Sequence, residues 1–566
     1  MCGIAGLLGE NINTTVMDKM LEIQKHRGPD NSSKWNNDAI CLGHNRLSII
    51  DLTENANQPF FSNDKRYVIV FNGEIYNYIE LKSELEKFYD FKTSSDTEVL
   101  IAAYSFWGKG CLHKLNGMFS FAIWDTYDKS LFLARDRFGV KPLYYNHSNG
   151  VFRFASEIKT IHSSGIPKIP NESVWASYYV YGSYGLPNET FWEDVSQLPG
   201  GHSMTVKEQQ VSIERWYIFE DEVKKYNKVE DYDTVKSNYI KLLEDSIKLR
   251  FRADVNVGFN VSGGVDSSML IAFVNKMYGN DYINAYTFYT NDKRYDELFW
   301  VESIMKSTLC PLTKVLTTPD DIIPLSKKIS FYQDEPYGGI PTIAYSKIFE
   351  TARKKGTLVL LDGQGMDEQW AGYDYYTKNN NAVIQGVHTS PFRPSVLSEE
   401  FLSKSVKPSY KKPFSDQILN LQYRDLFYTK IPRTLRFNDR ISMAYSTELR
   451  EPFLDYRLVE YAFGQPLEFK IKKGIQKFML RDIVDEYLSG SISYAPKRPL
   501  QTPQREWLAN ELRNEVSFII NEIKNSDYKH WFDLDKLMDE WNQYINGQQD
   551  SSFHVWQWLS LKMLEK

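Results

Sequence analysis

The hydrophobic pattern of the chain changes near residue 235, and this change constrains the fold more than any other feature. Before it, short apolar runs at 67–72, 119–124 and 130–135 are separated by Gly, Asn and Asp turns, which is typical of β-strands. After it, strand-like runs alternate with helical runs, as in 256–261 followed by 267–278. Such alternation predicts a parallel, doubly wound sheet. We therefore expect an α+β N-terminal domain, then an α/β domain whose last part, beyond residue 395, is mostly helical.

The chain is long enough for more than one hydrophobic core, because single cores stop growing at about 250–300 residues and this chain has 566. Segment 219–233 is charged and poor in apolar residues. We therefore predict domains over 2–212 and 236–566, joined by a linker over 213–235. A helix is predicted over 14–25, and another begins at Ser95, where the sequence SDTE has the pattern of a capping box.

Composition excludes several classes of partner. The net charge of −6 gives no electrostatic reason to bind nucleic acid or anionic membrane, and no apolar run reaches the ~20 residues of a membrane span. The N-terminus lacks the basic and apolar regions of a signal peptide. The four cysteines are far apart and lack metal-binding spacing, which favours reduced thiols; they are Cys2, Cys41, Cys111 and Cys310. These features predict a cytoplasmic protein.

Cys2 is a candidate nucleophile. Its small side chain allows an aminopeptidase to remove Met1, after which Cys2 carries both a thiol and a free α-amine. An α-amine has a pKa of about 7.7–8.0, so it can accept the thiol proton near pH 7. A nucleophile paired with a base is the minimum requirement for acyl transfer.

A glycine-rich turn, VSGGVDSS at 261–268, lies between a predicted strand and a predicted helix. Backbone N–H groups and the helix N-terminus favour an anion at such a turn. The turn lacks the GKS/T ending of a Walker A loop. A second turn of this kind, LDGQGMDE, follows the run 357–361.

Five segments of the first half together resemble the glutaminase domain of class II, N-terminal-nucleophile glutamine amidotransferases, which implies an αββα sandwich. They are MCGIAG at 1–6, HRGPD at 26–30, GHNRLSI at 43–49, FNGEIYN at 71–77 and SDTE at 95–98. The resemblance implies that Cys2 attacks the carboxamide of glutamine and that the Asn72 side chain and Gly73 N–H form the oxyanion hole. Arg46 would hold the α-carboxylate, and Glu74 and Asp96 the α-ammonium. The glutamine-binding residues implied are Arg46, Leu47, Ile49, Asn72, Gly73, Glu74 and Asp96.

The second half resembles the synthetase domain of glutamine-hydrolysing asparagine synthetases, so the likeness covers nearly the whole chain. It is carried by 261–268, by 361–368 with AGY at 371–373, and by RISMA at 440–444, ELREPFLD at 448–455 and APKRP at 495–499. The string SGGVDSS is typical of ATP pyrophosphatases, which cleave ATP to AMP and pyrophosphate. The ATP-binding residues implied are Asn260, Ser262, Gly263, Gly264, Asp266, Ser267, Thr290, Asp362, Gly363 and Lys497. Asp266 and Asp367 would hold Mg²⁺, which prefers carboxylate oxygens, and Lys497 would neutralise the departing pyrophosphate.

The implied reaction joins these two sites. Glutamine hydrolysis supplies ammonia, ATP converts a carboxylate to an acyl-AMP, and ammonia attacks this ester to give an amide and AMP. The small-molecule substrates would be glutamine, ATP and aspartate or another carboxylate. An enclosed passage between the domains would keep ammonia unprotonated. The resemblance leaves a homodimer open.

Two departures from the family pattern concern the acceptor. The family's usual loop has a Glu where this chain has Gln364, and that Glu is thought to help ammonia lose a proton. Either Asp362 or another acid replaces it, or the site is shaped for a different acceptor. The loop 334–342 contains Thr342 but no arginine before Arg353, although the α-carboxylate of aspartate calls for a cation.

Four interpretations stay open from the sequence. Glutamine-dependent asparagine synthesis is the leading one, and amidation of a sugar uronic acid in surface polysaccharide synthesis is the alternative. A β-lactam or peptide-cyclising synthetase would use the same second domain, but usually without the glutaminase set present here. A non-enzymatic sensor of nucleotide or glutamine has no physical need for Asp266, Asp367 and Lys497 together.

Overall fold

The computed structural model of the chain describes residues 1–10, 12–226, 230–279, 283–377, 390–488, 502–548 and 551–565. Lys497 lies outside the described residues. The strands of the first part are β1 (Gly3–Gly9), β2 (Asn31–Asn36), β3 (Ile40–Arg46), β4 (Phe60–Phe61), β5 (Tyr67–Ile75), β6 (Gly117–Asp125), β7 (Ser130–Arg135), β8 (Tyr144–Ser148), β9 (Val151–Ala155), β10 (Ser196–Gln197), β11 (His202–Lys207) and β12 (Gln210–Arg215). Its helices are α1 (Thr14–Ile23), α2 (Tyr78–Leu85), α3 (Asp96–Trp107), α4 (Cys111–Lys114), α5 (Ile158–Ser163) and α6 (Glu172–Tyr181).

These strands form two six-stranded antiparallel sheets, in the orders β10-β8-β9-β1-β3-β2 and β12-β11-β7-β6-β5-β4. The sheets pack face to face through apolar side chains such as Ile4 and Leu42 from one and Val70 and Leu133 from the other. Helices α1 and α5 cover the outer face of the first sheet, and α2 and α3 cover that of the second. The predicted αββα sandwich is thereby confirmed.

Glu98 departs from the predicted capping box. The Ser95 side chain does cap α3, accepting from the Thr97 N–H at 3.1 Å. The Glu98 carboxylate instead accepts from the backbone N–H groups of Lys92 and Thr93 and from the Thr93 hydroxyl. The Glu98 carboxylate, which in a capping box would bind the Ser95 N–H, is therefore bound to the loop before the helix.

The segment predicted as a linker is partly folded. It contains α7 (Phe219–Lys224), and α8 (Tyr232–Arg250) begins within its last residues. Phe219 and Val223, one helical turn apart, are buried. Residues four apart lie on the same face of a helix, so Phe219 and Val223 form a buried apolar face, while the charged residues lie on the faces turned toward solvent.

The second part is built around a five-stranded sheet, in the order β15-β14-β13-β16-β17, in which every pair of neighbours is parallel. The strands are β13 (Val257–Asn260), β14 (Ala285–Tyr289), β15 (Leu312–Leu316), β16 (Val359–Leu361) and β17 (Glu448–Arg450), and β18 (Ile471–Lys472) and β19 (Ile475–Gln476) form a separate hairpin. The helices are α9 (Val265–Tyr278), α10 (Leu298–Thr308), α11 (Pro319–Gln333), α12 (Ile340–Lys354), α13 (Met366–Gln369), α14 (Glu399–Ser403), α15 (Gln417–Arg424), α16 (Lys430–Met443), α17 (Tyr456–Phe463), α18 (Leu467–Lys470), α19 (Phe478–Tyr487), α20 (Gln504–Ala509), α21 (Arg513–Asn521), α22 (Leu534–Ile545) and α23 (Phe553–Leu564).

The strand order fixes where a ligand can bind. The chain leaves β13 toward one side of the sheet and returns to add β16 on the other, so the order reverses between these two strands. Ligands bind at the carboxyl ends of parallel strands at such a switch point. The predicted doubly wound sheet and helical C-terminal part are thereby confirmed. None of the helices in the described ranges is long and apolar enough to cross a bilayer.

Candidate active sites

Cys2 lies at the start of β1 and is buried. Its backbone N–H donates to Asn72 Oδ1 at 3.1 Å, and Sγ lies 4.0 Å from the carbonyl oxygen of Leu47. Burial raises the pKa of the thiol, and the nearby N-terminal amine opposes this rise. Met1 is present in the described chain, and its amine donates to Glu448 Oε2 at 2.8 Å. Removal of Met1 would transfer the free amine to Cys2.

Asn72 has the arrangement that an oxyanion hole requires. Its Oδ1 is used by Cys2, whereas its Nδ2 is buried and forms no hydrogen bond. Gly73 follows on β5, where a Cβ atom would lie only 2.1 Å from the carbonyl oxygen of Met118 on β6. Only glycine fits that close approach of two strands. A fixed, dry donor beside a nucleophile stabilises charge that develops during reaction.

Arg46, at the end of β3, is fixed by a neighbouring loop. Its guanidinium donates to the carbonyl oxygens of Asp51 and Thr53 and to Asn57 Oδ1. Leu47 and Ile49 are buried, and the Ile49 carbonyl accepts from the Asp254 N–H of the second part at 2.8 Å. The structure thus places these three predicted residues on one segment beside Cys2.

Two predicted acids, Glu74 and Asp96, are buried near the N-terminus. Glu74 Oε2 is buried without a hydrogen bond, and burial, followed by the like charges of Glu448 and Asp96, raises its pKa well above the ordinary value. Burial also raises the pKa of Asp96 to about 6, against the opposing hydrogen bond from the Ile75 N–H. Buried acids of this kind are poised to receive a cation.

The turn between β13 and α9 is a candidate anion site whose backbone is held by internal hydrogen bonds. Ser267 Oγ accepts from the Ser262 N–H and donates to the Gly264 carbonyl. Gly263 has a φ of 67°, and a Cβ there would lie 2.8 Å from Trp300 Cβ. The turn therefore holds its backbone at the N-terminus of a 14-residue helix, where N–H groups and the helix dipole favour phosphate.

Lys477 is a site residue that the sequence did not indicate. Its Nζ lies 2.7 Å from Asp266 Oδ1 and 2.5 Å from Asp367 Oδ1, the two acids predicted to hold Mg²⁺. Burial lowers the pKa of Lys477, but the two carboxylates outweigh it and raise the pKa overall. Gly372 packs against the lysine so closely that a Cβ there would lie 2.3 Å from Lys477 Cε.

The donor set fits nucleotide and metal. Two carboxylates, each about one fifth exposed, face the phosphate-binding turn, and Mg²⁺ is usually held by one or two carboxylates together with substrate phosphates. At Gly363 the loop after β16 packs against the phosphate-binding turn, and a Cβ there would lie only 3.2 Å from Ser267 N. Among the described residues there is no group of three or more His, Cys, Asp or Glu that would hold a metal without such phosphates.

Asp362 is already engaged. Its Oδ2 accepts from the Tyr345 hydroxyl at 2.6 Å, and its Oδ1 accepts from the Gly363 N–H at 2.6 Å. Asn260 Nδ2 donates to the same tyrosine hydroxyl, which links the ends of β13 and β16. Thr290, at the end of β14, is bound through its N–H and hydroxyl to Asp296.

An arginine does reach the loop 334–342, but it comes from a distant part of the sequence. Arg436 of α16 donates to Glu335 Oε2 and to the Pro336 carbonyl, both at 2.9 Å. Its guanidinium is thus paired within the protein. The sequence could not indicate this contact, because 100 residues separate the partners.

A small cavity lies between the two parts of the chain. It has a volume of about 10 Å³, roughly the space of one water-sized molecule. Met118 and Val140 line it from the first part, and Glu451 and Leu454 line it from the second. Met118 is the register partner of Glu74 on β5, and Glu451 follows β17. The cavity therefore lies within the interface that joins the two halves.

Comparison with known proteins agrees with this two-site architecture. Residues 1–217 match a family model described as a glutamine amidotransferase domain, and residues 238–566 match one described as asparagine synthase. Asparagine synthetases [glutamine-hydrolyzing] 1 and 3 of Bacillus subtilis are 29% and 28% identical to the chain, each over 98% of it and over 95% and 91% of their own lengths. A putative asparagine synthetase of Methanocaldococcus jannaschii is 33% identical over 66% of the chain and 76% of its own length.

The fold and the two sites define a glutamine amidotransferase coupled to a carbon–nitrogen ligase domain. The chain belongs to the asparagine synthase family of glutamine-hydrolysing enzymes.

Proposed function

We propose that this protein is a glutamine-dependent asparagine synthetase. It hydrolyses glutamine at Cys2, activates aspartate with ATP as an acyl-AMP, and forms the amide with release of AMP and pyrophosphate. The observation that carries this proposal is that one interface joins a part with a buried nucleophile and a free amide donor to a part with a phosphate-binding turn and two carboxylates. A glutaminase would need no phosphate turn, and a nucleotide-binding protein would need no buried nucleophile with a free amide donor.

At the first site, the Cys2 thiol loses its proton to the α-amine freed by removal of Met1 and attacks the glutamine carboxamide. Asn72 Nδ2 and the Gly73 N–H receive the charge that develops on the oxygen. Glu74 and Asp96 accept the ammonium group of the substrate, whose positive charge favours their ionised forms. The protonated α-amine returns its proton to the departing nitrogen, so that ammonia leaves and a thioester remains. Water then hydrolyses this thioester to glutamate and the free thiol.

At the second site, the turn 262–267 binds the phosphates and Lys477 faces the departing pyrophosphate. Mg²⁺, held by Asp266 and Asp367, would neutralise phosphate charge. With both acids engaged in this way, Lys477 would be available to donate to phosphate oxygens. Lys477 is thus a further candidate, beside Lys497, for the cation that neutralises the pyrophosphate.

A second acceptor class, a nucleotide-linked or other uronic acid, is favoured by one observation. A cleft of about 690 Å³ lies between the two parts, which is large for aspartate and ordinary for a drug-sized ligand. Its lining includes six cationic side chains and, among the described residues, a single acid, Glu189. The cations are Lys407, Lys411, Lys412, Arg424, Arg433 and Arg436. Arg424 lies 5.5 Å from the ring of Tyr375, three residues beyond Gly372.

Product analysis separates the two acceptors. The purified protein is incubated with Mg²⁺, ATP and glutamine, and with either aspartate or UDP-glucuronic acid, and AMP, pyrophosphate and the amide are quantified together. The proposal predicts equal amounts of asparagine and AMP with aspartate. Amide and AMP only with UDP-glucuronic acid would favour the second class. Release of glutamate with no AMP from either acceptor would contradict both.

A further inference from the structure

Glu451 follows directly on β17, at the carboxyl edge of the parallel sheet. Leu361 of β16 and Arg450 of β17 are register partners, and the Asp362 N–H donates to the Arg450 carbonyl at 2.9 Å. The next residues, Asp362 and Glu451, therefore lie side by side on neighbouring strands, which are about 4.8 Å apart. Glu451 is thus at the edge where the phosphate turn and the acceptor must meet.

The same residue lines the interface cavity. Glu451 shares this cavity with Met118 and Val140 of the glutaminase domain. Met118 is also the register partner of Glu74, a predicted glutamine-binding residue. Glu451 therefore lies between the strands of the glutaminase domain that adjoin its predicted site and the end of β16, where the acyl-AMP is predicted.

The other acids nearby are already engaged. Both oxygens of Asp362 accept hydrogen bonds, Asp439 is paired with Arg27, and Asp136 accepts four backbone N–H groups. Gln364, at the position of the family glutamate, cannot accept a proton. In the described part of the chain, no residue forms a hydrogen bond or ion pair with the Glu451 side chain, which is only 5% exposed.

We propose that the Glu451 carboxylate is the general base that takes the proton from ammonia as its nitrogen attacks the activated carboxylate. This inference rests on the proposed function and supplies the group that replaces the glutamate missing at Gln364. The nitrogen lone pair forms the C–N bond, an N–H bond breaks, and its proton moves to the Glu451 carboxylate. The C–O bond to the phosphate breaks, and AMP leaves with the electron pair.

The electrostatics suit this role. Burial raises the pKa of Glu451 to about 8, with Asp362 adding to the rise and Lys141 opposing it. A general base works best when its pKa is near the working pH. The charged groups that face Glu451 are Lys141, Arg137, Arg250, Asp136, Asp362 and Asp439. Tyr76 and Tyr456 also line the cavity, and burial raises both pKa values above 10, so both stay neutral.

The first test uses Glu451→Gln, which keeps the shape and removes the base. We expect ATP–pyrophosphate exchange with the accepted carboxylate within about threefold of wild type. Amide formation from ammonium should fall by about 10²-fold or more, the range of general-base catalysis. At a constant concentration of free ammonia, its rise with pH toward 8 should disappear. Adding Gln364→Glu should restore part of the rate. Glu460→Gln, a buried acid on α17 bonded to Tyr217, is the matched control and should change neither.

An amide rate in Glu451→Gln within fivefold of wild type, with the pH profile unchanged, would overturn the inference. If this variant does not fold, Glu451→Asp serves instead, and a shortened carboxylate should slow amide formation at least tenfold; an unchanged rate would also overturn it.

A second readout needs no acceptor. Infrared titration should show a protonated carboxyl band that titrates near pH 8 and is absent in Glu451→Gln. Glu460, whose pKa is raised to about 7 by burial, gives a separate band. Failure of wild type to amidate either carboxylate would contradict the proposed function, whereas absence of the pH 8 band would contradict the assignment of Glu451 alone.

Discussion

Replacement of Lys477 by methionine tests the lysine that the structure brings to the two predicted metal ligands. Methionine keeps most of the apolar stem against Gly372 and removes the charge. In wild type, Nζ lies within 2.7 Å of both Asp266 and Asp367. The variant therefore leaves the carboxylates of Asp266 and Asp367 without their lysine partner. It also removes the cation that Lys477, between β19 and α19, presents to the departing pyrophosphate.

The magnitude follows from these contacts. Loss of one preorganised group at the site of developing charge costs about 10²–10³ in rate, or ~2.7–4 kcal/mol. Breaking a buried ion pair costs about 3–5 kcal/mol of stability, but both acids are about one fifth exposed. We therefore expect a loss of roughly 1–3 kcal/mol in the free energy of unfolding, discounted for solvent screening.

ATP–pyrophosphate exchange and glutaminase activity are measured on the same preparation. Lys477→Met should exchange at least 100-fold more slowly, while it hydrolyses glutamine at the wild-type rate. Lys472→Met, an exposed lysine on the adjacent hairpin, should change neither rate. Exchange within tenfold of wild type would refute the role of Lys477.

Three further predictions concern the glutaminase site. Cys2→Ala should abolish glutamine hydrolysis and leave ammonium-dependent amidation intact, and glutamate release at the wild-type rate would show that Cys2 is not the nucleophile. Asn72→Ala removes the free amide donor and should lower kcat for glutamine by about 10²–10³, whereas Asn146→Ala, which also loses a buried hydrogen bond, should not; equal losses in both would mean a structural effect. Because the Asp96 pKa is about 6, its carboxylate is protonated below that pH, so the KM for glutamine should rise as pH falls through 6; a KM that stays flat between pH 5 and 7 would exclude Asp96 as an ammonium ligand.

Local pattern predicted most of the secondary structure. The run 130–135 is β7 without change, and 119–124 lies inside β6. These segments were readable because a buried strand carries its own apolar signal and its turns carry Gly, Asn or Asp. The end of the first helix was less predictable: α1 stops at Ile23 and a 3₁₀ turn follows, since the last turn of a helix often tightens in this way.

Contacts between distant segments could not be predicted. Lys477 lies in none of the motifs named above, and only the tertiary fold brings it to Asp266, 211 residues away. Glu451 lies in the segment ELREPFLD, which carries part of the family likeness, but its position beside Asp362 depends on the register of two short strands. The link between Met1 and Glu448 spans 447 residues. Such pairings depend on the topology of the sheet rather than on any local pattern.

The central claim is that the two sites act as one enzyme, with nitrogen passing from glutamine to the acceptor inside the protein. Glutamine labelled with ¹⁵N in its amide is supplied with Mg²⁺, ATP and aspartate in the presence of excess unlabelled ammonium, and the asparagine is analysed by mass spectrometry. The account predicts ¹⁵N-asparagine, formed in equal amount with AMP and little diluted by the unlabelled pool. Asparagine that carries the isotope ratio of the bulk ammonium, or no asparagine while glutamate and AMP accumulate, would contradict it.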